Sequence, residues 1–84
     1  MKSLDISVGG ITSTVHVTSE SPPRWARPGT EPRTPGAVIR ELFEEARAEG
    51  IPETAIMAPR VTYHVDGVPT DPPMTVRAWL ILSR

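Results

Sequence analysis

The feature that most constrains this chain is an amphipathic helix predicted over residues 35–49. Thr34 can accept a hydrogen bond from a backbone N–H of the first turn, and Pro35 suits the first helical position because its φ is already fixed. At 100° per residue the apolar side chains fall within an arc of about 140°, which is wide enough to face a core. They are Val38, Ile39, Leu42, Phe43 and Ala46.

The end of this helix is also marked in the sequence. Gly50 supplies a left-handed position after the last turn, and Ile51 can make the apolar contact that accompanies such an ending. Pro52 prevents the helix from continuing. The helix would be about 22 Å long, which matches a strand of six or seven residues, so one helix can cover one face of a sheet.

A β-hairpin is predicted over residues 3–18. Apolar and polar side chains alternate on both sides of Gly9-Gly10, and this dipeptide accepts the positive φ angles of a two-residue turn. The resulting register places Leu4 opposite Val15 and collects the apolar side chains on one face. A shift of one residue would destroy that agreement.

Residues 19–33 contain four prolines and show no periodicity. This pattern predicts a loop that is longer than most loops in compact domains. Such long loops are usually functional or disordered. Within residues 21–33, Arg24, Arg27 and Arg33 outweigh the single glutamate, Glu31. Arginines on either side of Trp25 suit stacking on bases or binding to an acidic surface. Alternatively, Trp25 covers the outer sheet face and the arginines lie at its rim.

Two strands are predicted after the helix, over residues 60–66 and 74–83. In each segment, every second side chain would lie on the same face of the sheet. The second segment is apolar on both faces toward its end, which suggests a covered, central strand. Its outward face would carry Arg77, Trp79 and Ile81.

The predicted order is therefore β-β-α-β-β in a single domain over residues 1–84. This order indicates an α+β fold, a two-layer sandwich with one helix on one face of a four-stranded sheet. One arrangement is β-grasp-like, with the last strand beside the first in the middle of the sheet. The other places two hairpins side by side in an antiparallel sheet.

Composition excludes several classes of function. The chain has no cysteine, which excludes disulfides, cysteine-ligated zinc and a thiol nucleophile. Its net charge of −1 gives no global attraction to nucleic acid or to anionic membrane. No apolar run reaches transmembrane length and no signal peptide is evident, so we expect a cytoplasmic protein, or an intravirion one if a phage encodes it. Eight arginines against one lysine, with no asparagine or glutamine, indicate a GC-rich coding sequence of actinobacterial or phage origin.

Few residues suggest chemistry. His16, His64 and Asp66 would share the outer sheet face, and two histidines with a carboxylate suit a divalent metal. The alternative, which we favour, is solvated histidines and an aspartate placed by its turn. Glu44 and Glu45 are interpreted as solvated helix charges. No strand–turn–helix nucleophile or phosphate loop is present, so the sequence predicts no catalytic residue and no cofactor.

The function predicted from these patterns is that of a small, non-enzymatic accessory protein acting through protein–protein contacts. An outer sheet face bearing tryptophan and isoleucine suggests self-association as a homo-oligomer. The predicted partner-binding residues are Arg24, Trp25, Arg27, Arg33, Arg77, Trp79 and Ile81. The alternatives are a nucleic-acid-binding module that uses the arginine–tryptophan loop and, less favoured, a small metal-dependent enzyme.

Overall fold

The computed structural model describes the backbone of residues 1–82 and the side chains of residues 1–78. Within these limits the chain is an α+β fold with one five-stranded antiparallel sheet, in which the strands lie in the order β3-β2-β1-β4-β5. The elements are β1 (Lys2–Val8), β2 (Ile11–Glu20), β3 (Pro23–Ala26), α1 (Pro35–Ala48), α2 (Glu53–Ile56), β4 (Arg60–Val65), β5 (Val68–Thr70) and α3 (Met74–Leu82).

The predicted hairpin is confirmed in its register. Leu4 lies opposite Val15, and Val8 opposite Ile11. The turn residues Gly9 and Gly10 both have positive φ, as the two-residue turn requires. Local alternation and turn chemistry are therefore sufficient to define the first two strands.

The predicted helix is confirmed at both ends. The N–H of Ala37 donates to Oγ1 of Thr34 at 3.3 Å. After the last turn, Gly50 has a φ of 80°, and the N–H of Ile51 donates to the carbonyl of Ala46 at 3.1 Å. That bond is the six-to-one contact of a Schellman ending, which satisfies a carbonyl that the helix leaves free.

The core lies between α1 and one face of the sheet. Leu4 of the central strand has Val15 on one side and Tyr63 on the other, and all three side chains are buried. Burial of each large apolar side chain contributes about 1.5–3 kcal/mol. The buried cluster comprises Leu4, Ile6, Val8, Val15, Trp25, Val38, Ile39, Leu42, Phe43, Ala46, Ile56, Tyr63 and Val76.

The predicted strand over residues 74–83 is wrong. Met74–Leu82 is the helix α3, and Ser83 lies outside the described residues. A segment that is apolar at most positions fits a helical period as well as a strand period. The helix begins directly after Pro73, whose carbonyl accepts from the N–H of Val76 at 3.0 Å.

The sheet also differs from the four strands that were predicted. Pro23–Ala26, inside the predicted loop, forms the edge strand β3, where proline is tolerated because one side of the strand needs no partner. Val68–Thr70 forms the other edge and pairs with β4 through a turn at Asp66 and Gly67. The two hairpins lie side by side, and the β-grasp-like arrangement is not confirmed.

Candidate functional site

A cavity of about 360 Å³ opens between the β2–β3 hairpin and the first turn of α3. Its size falls within the range of ligand-binding pockets. The residues that line it are Val17, Ser19, Glu20, Pro23, Trp25, Tyr63, Pro73, Thr75 and Val76. This cavity is the main candidate for a binding site among the residues that the structure describes.

Three buried residues line the inner part of the cavity. Trp25 pairs with Val17 across β2 and β3 and is only 2% exposed, while Tyr63 is 4% and Val76 7% exposed. Trp25 therefore lies on the helix-covered face, and the expectation that it covers the outer face is wrong. Residues 23–26 are therefore a strand of the sheet whose tryptophan belongs to the core.

A single ion pair lies at the rim. Nζ of Lys2 donates to Oε1 of Glu20 at 2.5 Å, and this hydrogen bond raises the pKa of Lys2 above its ordinary value. Glu20 and Tyr63 are the ionisable residues in the cavity lining. The other polar side-chain groups of the lining residues are the hydroxyls of Ser19, Tyr63 and Thr75 and the indole N–H of Trp25.

Two of the three loop arginines, Arg27 and Arg33, form ion pairs with α1. Arg27 donates to Glu41 at 2.6 Å and also pairs with Glu45, and Arg33 donates to Glu41 at 2.5 Å. The hydrogen bonds from Arg33 and Arg27 lower the pKa of Glu41 to about 2. Glu45, which was expected to be a solvated charge, is part of this network. Both arginines thus hold the loop against the helix, and their predicted contact with a partner stays a prediction.

The remaining predicted partner-binding residues lie apart from one another. Arg24 is in β3 and donates from Nη1 to the carbonyl of Pro23 at 2.9 Å. Arg77 is exposed on α3. Trp79 and Ile81 also belong to α3, but their side chains lie outside the described part of the chain. Placement of Arg77, Trp79 and Ile81 on the outer sheet face is wrong, because the segment is a helix that packs beside α1.

The outer sheet face is polar, and no described helix lies on it. His16 and His64 flank Ser3 on neighbouring strands. Nδ1 of His64 lies 3.9 Å from Oδ2 of Asp5, which is too far for a hydrogen bond. Nδ1 of His16 is buried and has no hydrogen-bond partner among the described residues.

His16, His64 and Asp66, the weak candidates for metal ligands, do not form a metal-binding group in the described part of the chain. Asp66 lies in the β4–β5 turn with a φ of 51°, and its carboxylate pairs with the amino group of Met1. That ion pair lowers the pKa of Asp66 below its ordinary value. Across the described side chains, no group of three or more His, Cys, Asp or Glu residues is arranged to hold a metal ion.

Both edges of the sheet are protected against pairing with another strand. At one edge, the backbone N–H of Trp25 donates to the carbonyl of Arg33, and the N–H of Arg33 donates to the carbonyl of Trp25, each at 2.8 Å. At the other edge, β5 has three residues, and Pro69 in its middle has no N–H to donate. Short edges and prolines are common means of preventing strand addition.

Sequence reasoning missed the cavity because its walls are far apart along the chain. One wall comes from residues 17–25 and another from residues 73–76. The sequence predicted a loop from residue 19 in the first segment and a strand from residue 74 in the second. A usable signal was the pair Pro72-Pro73 directly before an apolar run, since proline commonly precedes or begins a helix.

Comparison with protein-family models, with curated proteins and with solved structures found no match to this chain. Among the described residues, none of the helices combines the length and the apolar character needed to cross a membrane.

Proposed function

We propose that this protein is a small, non-enzymatic interaction protein that self-associates through the end of the domain where the cavity opens. The observation that carries the proposal is the cavity itself. It is open to solvent, and Trp25, Tyr63 and Val76 line its inner part. Aromatic and aliphatic side chains in a concave surface are typical of sites that receive an apolar group from a partner.

The chemistry of the lining favours binding over catalysis. Its two ionisable residues are Glu20 and Tyr63, and the Glu20 carboxylate already accepts a hydrogen bond from Lys2. A catalytic site needs a nucleophile or a base within reach of a group that orients it. The cavity offers no histidine, lysine or arginine among its lining residues to serve in such an arrangement.

The position of α3 favours a protein partner. Its first turn forms one wall of the cavity, and the same helix carries Arg77, Trp79 and Ile81. Tryptophan and arginine are enriched at the residues that dominate binding energy in interfaces. Because the sheet edges are protected, association through side chains at this end is preferred to the addition of a strand.

Sedimentation velocity and light scattering test this proposal. The monomer mass is 9.2 kDa, and we expect the average mass to rise toward a dimer between about 10 μM and 1 mM, because a small interface gives weak association. Thr75→Arg places a long charged side chain in the cavity wall and should keep the protein monomeric. Thr62→Arg, at an exposed position of the outer sheet face, is the matched control and should associate like the wild type.

A mass that stays at the monomer value over the whole range would contradict self-association. Equal association of both variants would show that the cavity takes no part in it.

A further inference from the structure

We infer that the occupant of the cavity is Met74 of a second copy of this chain, and that the exchange is reciprocal about a two-fold axis. This inference rests on the proposed self-association and specifies the contact that produces it. It depends on three observations: the exposure of Met74, its place beside the cavity, and a pair of opposite charges at the same end of the domain.

Met74 is exposed although it is apolar. Its side chain is 77% exposed, while Val76 on the same helix is 7% exposed and belongs to the core. At about 100° per residue, Met74 lies about 200° around α3 from Val76 and so points away from the domain. Thr75 lies between the two and lines the cavity. The Met74 side chain therefore stands next to the cavity without filling it.

A two-fold dimer can use this arrangement. In such a dimer the same surface patch serves both copies, so a group and the cavity that receives it must both belong to that patch. Met74 and the cavity are adjacent on α3, which satisfies this requirement. Methionine is unbranched and flexible, and it fills irregular apolar spaces and contacts aromatic rings favourably. Trp25 and Tyr63 are the aromatic residues in the lining.

The charges near the cavity are complementary. Arg77 lies three residues after Met74, so both are on the same side of α3. It is exposed and, among the described side chains, has no ion pair. The carboxylate of Glu20 lines the cavity and is 60% exposed. When Met74 enters the cavity of the second copy, Arg77 approaches the Glu20 of that copy, and the carboxylate can accept from both Arg77 and Lys2.

The chain offers a matched control for this contact. Met57 is also exposed, at 53%, but it lies near the opposite end of the sheet, shortly before β4 begins at Arg60. Met57→Asp and Met74→Asp therefore make the same chemical change at two exposed methionines, of which one adjoins the cavity. Met74→Leu keeps an apolar side chain at the proposed contact.

The dissociation constant of the dimer, measured by sedimentation equilibrium, tests the inference. We expect Met74→Asp to raise it at least tenfold. Met57→Asp should leave it within about threefold of the wild-type value, since exposed surface changes away from a contact have small effects. Met74→Leu should also leave it within about threefold, because leucine keeps an apolar side chain of similar volume at the contact. Circular dichroism and urea denaturation of each variant establish that it is folded.

Methyl NMR gives a second measurement. In a mixture of methionine-methyl-labelled and ring-labelled copies, we expect intermolecular contacts between the Met74 methyl group and the ring protons of Trp25 or Tyr63. A dimer in which Met74→Asp and Met57→Asp have the same dissociation constant would overturn this inference and leave self-association standing. A wild-type protein that is monomeric at about 1 mM would remove both, because even weak transient interfaces associate at that concentration.

Discussion

Trp25 and Arg33 exchange two backbone hydrogen bonds, each of 2.8 Å, and so close the loop between the edge strand and α1. The indole of Trp25 is buried, and the guanidinium of Arg33 binds Glu41 on α1. Thr34, the residue after Arg33, caps the helix. One pair of residues thus joins the sheet edge, the core and the start of the helix.

We expect Trp25→Ala to lower the free energy of unfolding by about 3–5 kcal/mol, because it removes a large buried side chain and leaves a space that the core fills only in part. Folded domains are stable by only about 5–15 kcal/mol, so this loss would be a large fraction of the total. The midpoint of urea denaturation should therefore fall sharply. Met57→Ala, at an exposed apolar position, is the control and should change stability by less than about 0.5 kcal/mol. A small effect of Trp25→Ala would show that the indole adds little to the core.

Local signals explain which elements could be predicted. The register of β1 and β2 follows from alternation around Gly9-Gly10, and the ends of α1 follow from Thr34 and Gly50. In each case the deciding interactions lie within a few residues of one another along the chain. These elements could be predicted from the sequence because local interactions, without tertiary contacts, are enough to define them.

The errors arise where local patterns are ambiguous. Residues 74–82 are mostly apolar, so their periodicity fits strand and helix alike, and the choice depends on packing against distant residues. Val76 packs in the same core cluster as Trp25 and Tyr63. The cavity could not be predicted for the same reason, because it forms only where α3 lies beside the β2–β3 hairpin.

Glu41 should make stability depend on pH. Its pKa is lowered from 4.5 to about 2 in the folded protein, so the unfolded chain takes up a proton first as the pH falls. The stabilisation is fully present above about pH 4.5 and is lost as the pH falls toward 2. Because this carboxylate is partly exposed, we expect about 1 kcal/mol. Urea denaturation between pH 2 and 7 gives the free energy of unfolding of wild type and of Glu41→Gln. The difference between the two should become smaller as the pH falls.

Glu44→Gln is the control for this pH dependence. Glu44 is exposed on the same helix and has no ion pair within the described part of the chain, so its substitution should change stability little at any pH. A difference between wild type and Glu41→Gln that stays constant across the pH range would contradict an ion-pair origin.

Gly9 and Gly10 allow a test of close packing at the first turn. Both have positive φ, but a Cβ on Gly9 would overlap Cγ2 of Ile51, whereas a Cβ on Gly10 would meet no atom within 4 Å. We expect Gly10→Ala to lower the free energy of unfolding by about 1 kcal/mol, from backbone strain alone. Gly9→Ala should lower it by about 1–3 kcal/mol more, because the side chain of Ile51 must move in a packed region. Equal midpoints of urea denaturation for the two variants would show that Ile51 moves aside freely.

Arg27 and Arg33 should contribute little to nucleic-acid binding while they pair with Glu41 and Glu45. We expect the wild-type protein to give no change in fluorescence polarisation with single- or double-stranded oligonucleotides at low salt, where electrostatic affinity is greatest. Glu41→Gln combined with Glu45→Gln removes two negative charges, which changes the net charge from −1 to +1, and frees both guanidinium groups. This double variant should bind measurably and lose that binding as salt is added. Tight binding by the wild type that survives Arg27→Ala and Arg33→Ala would place a nucleic-acid surface elsewhere on the protein.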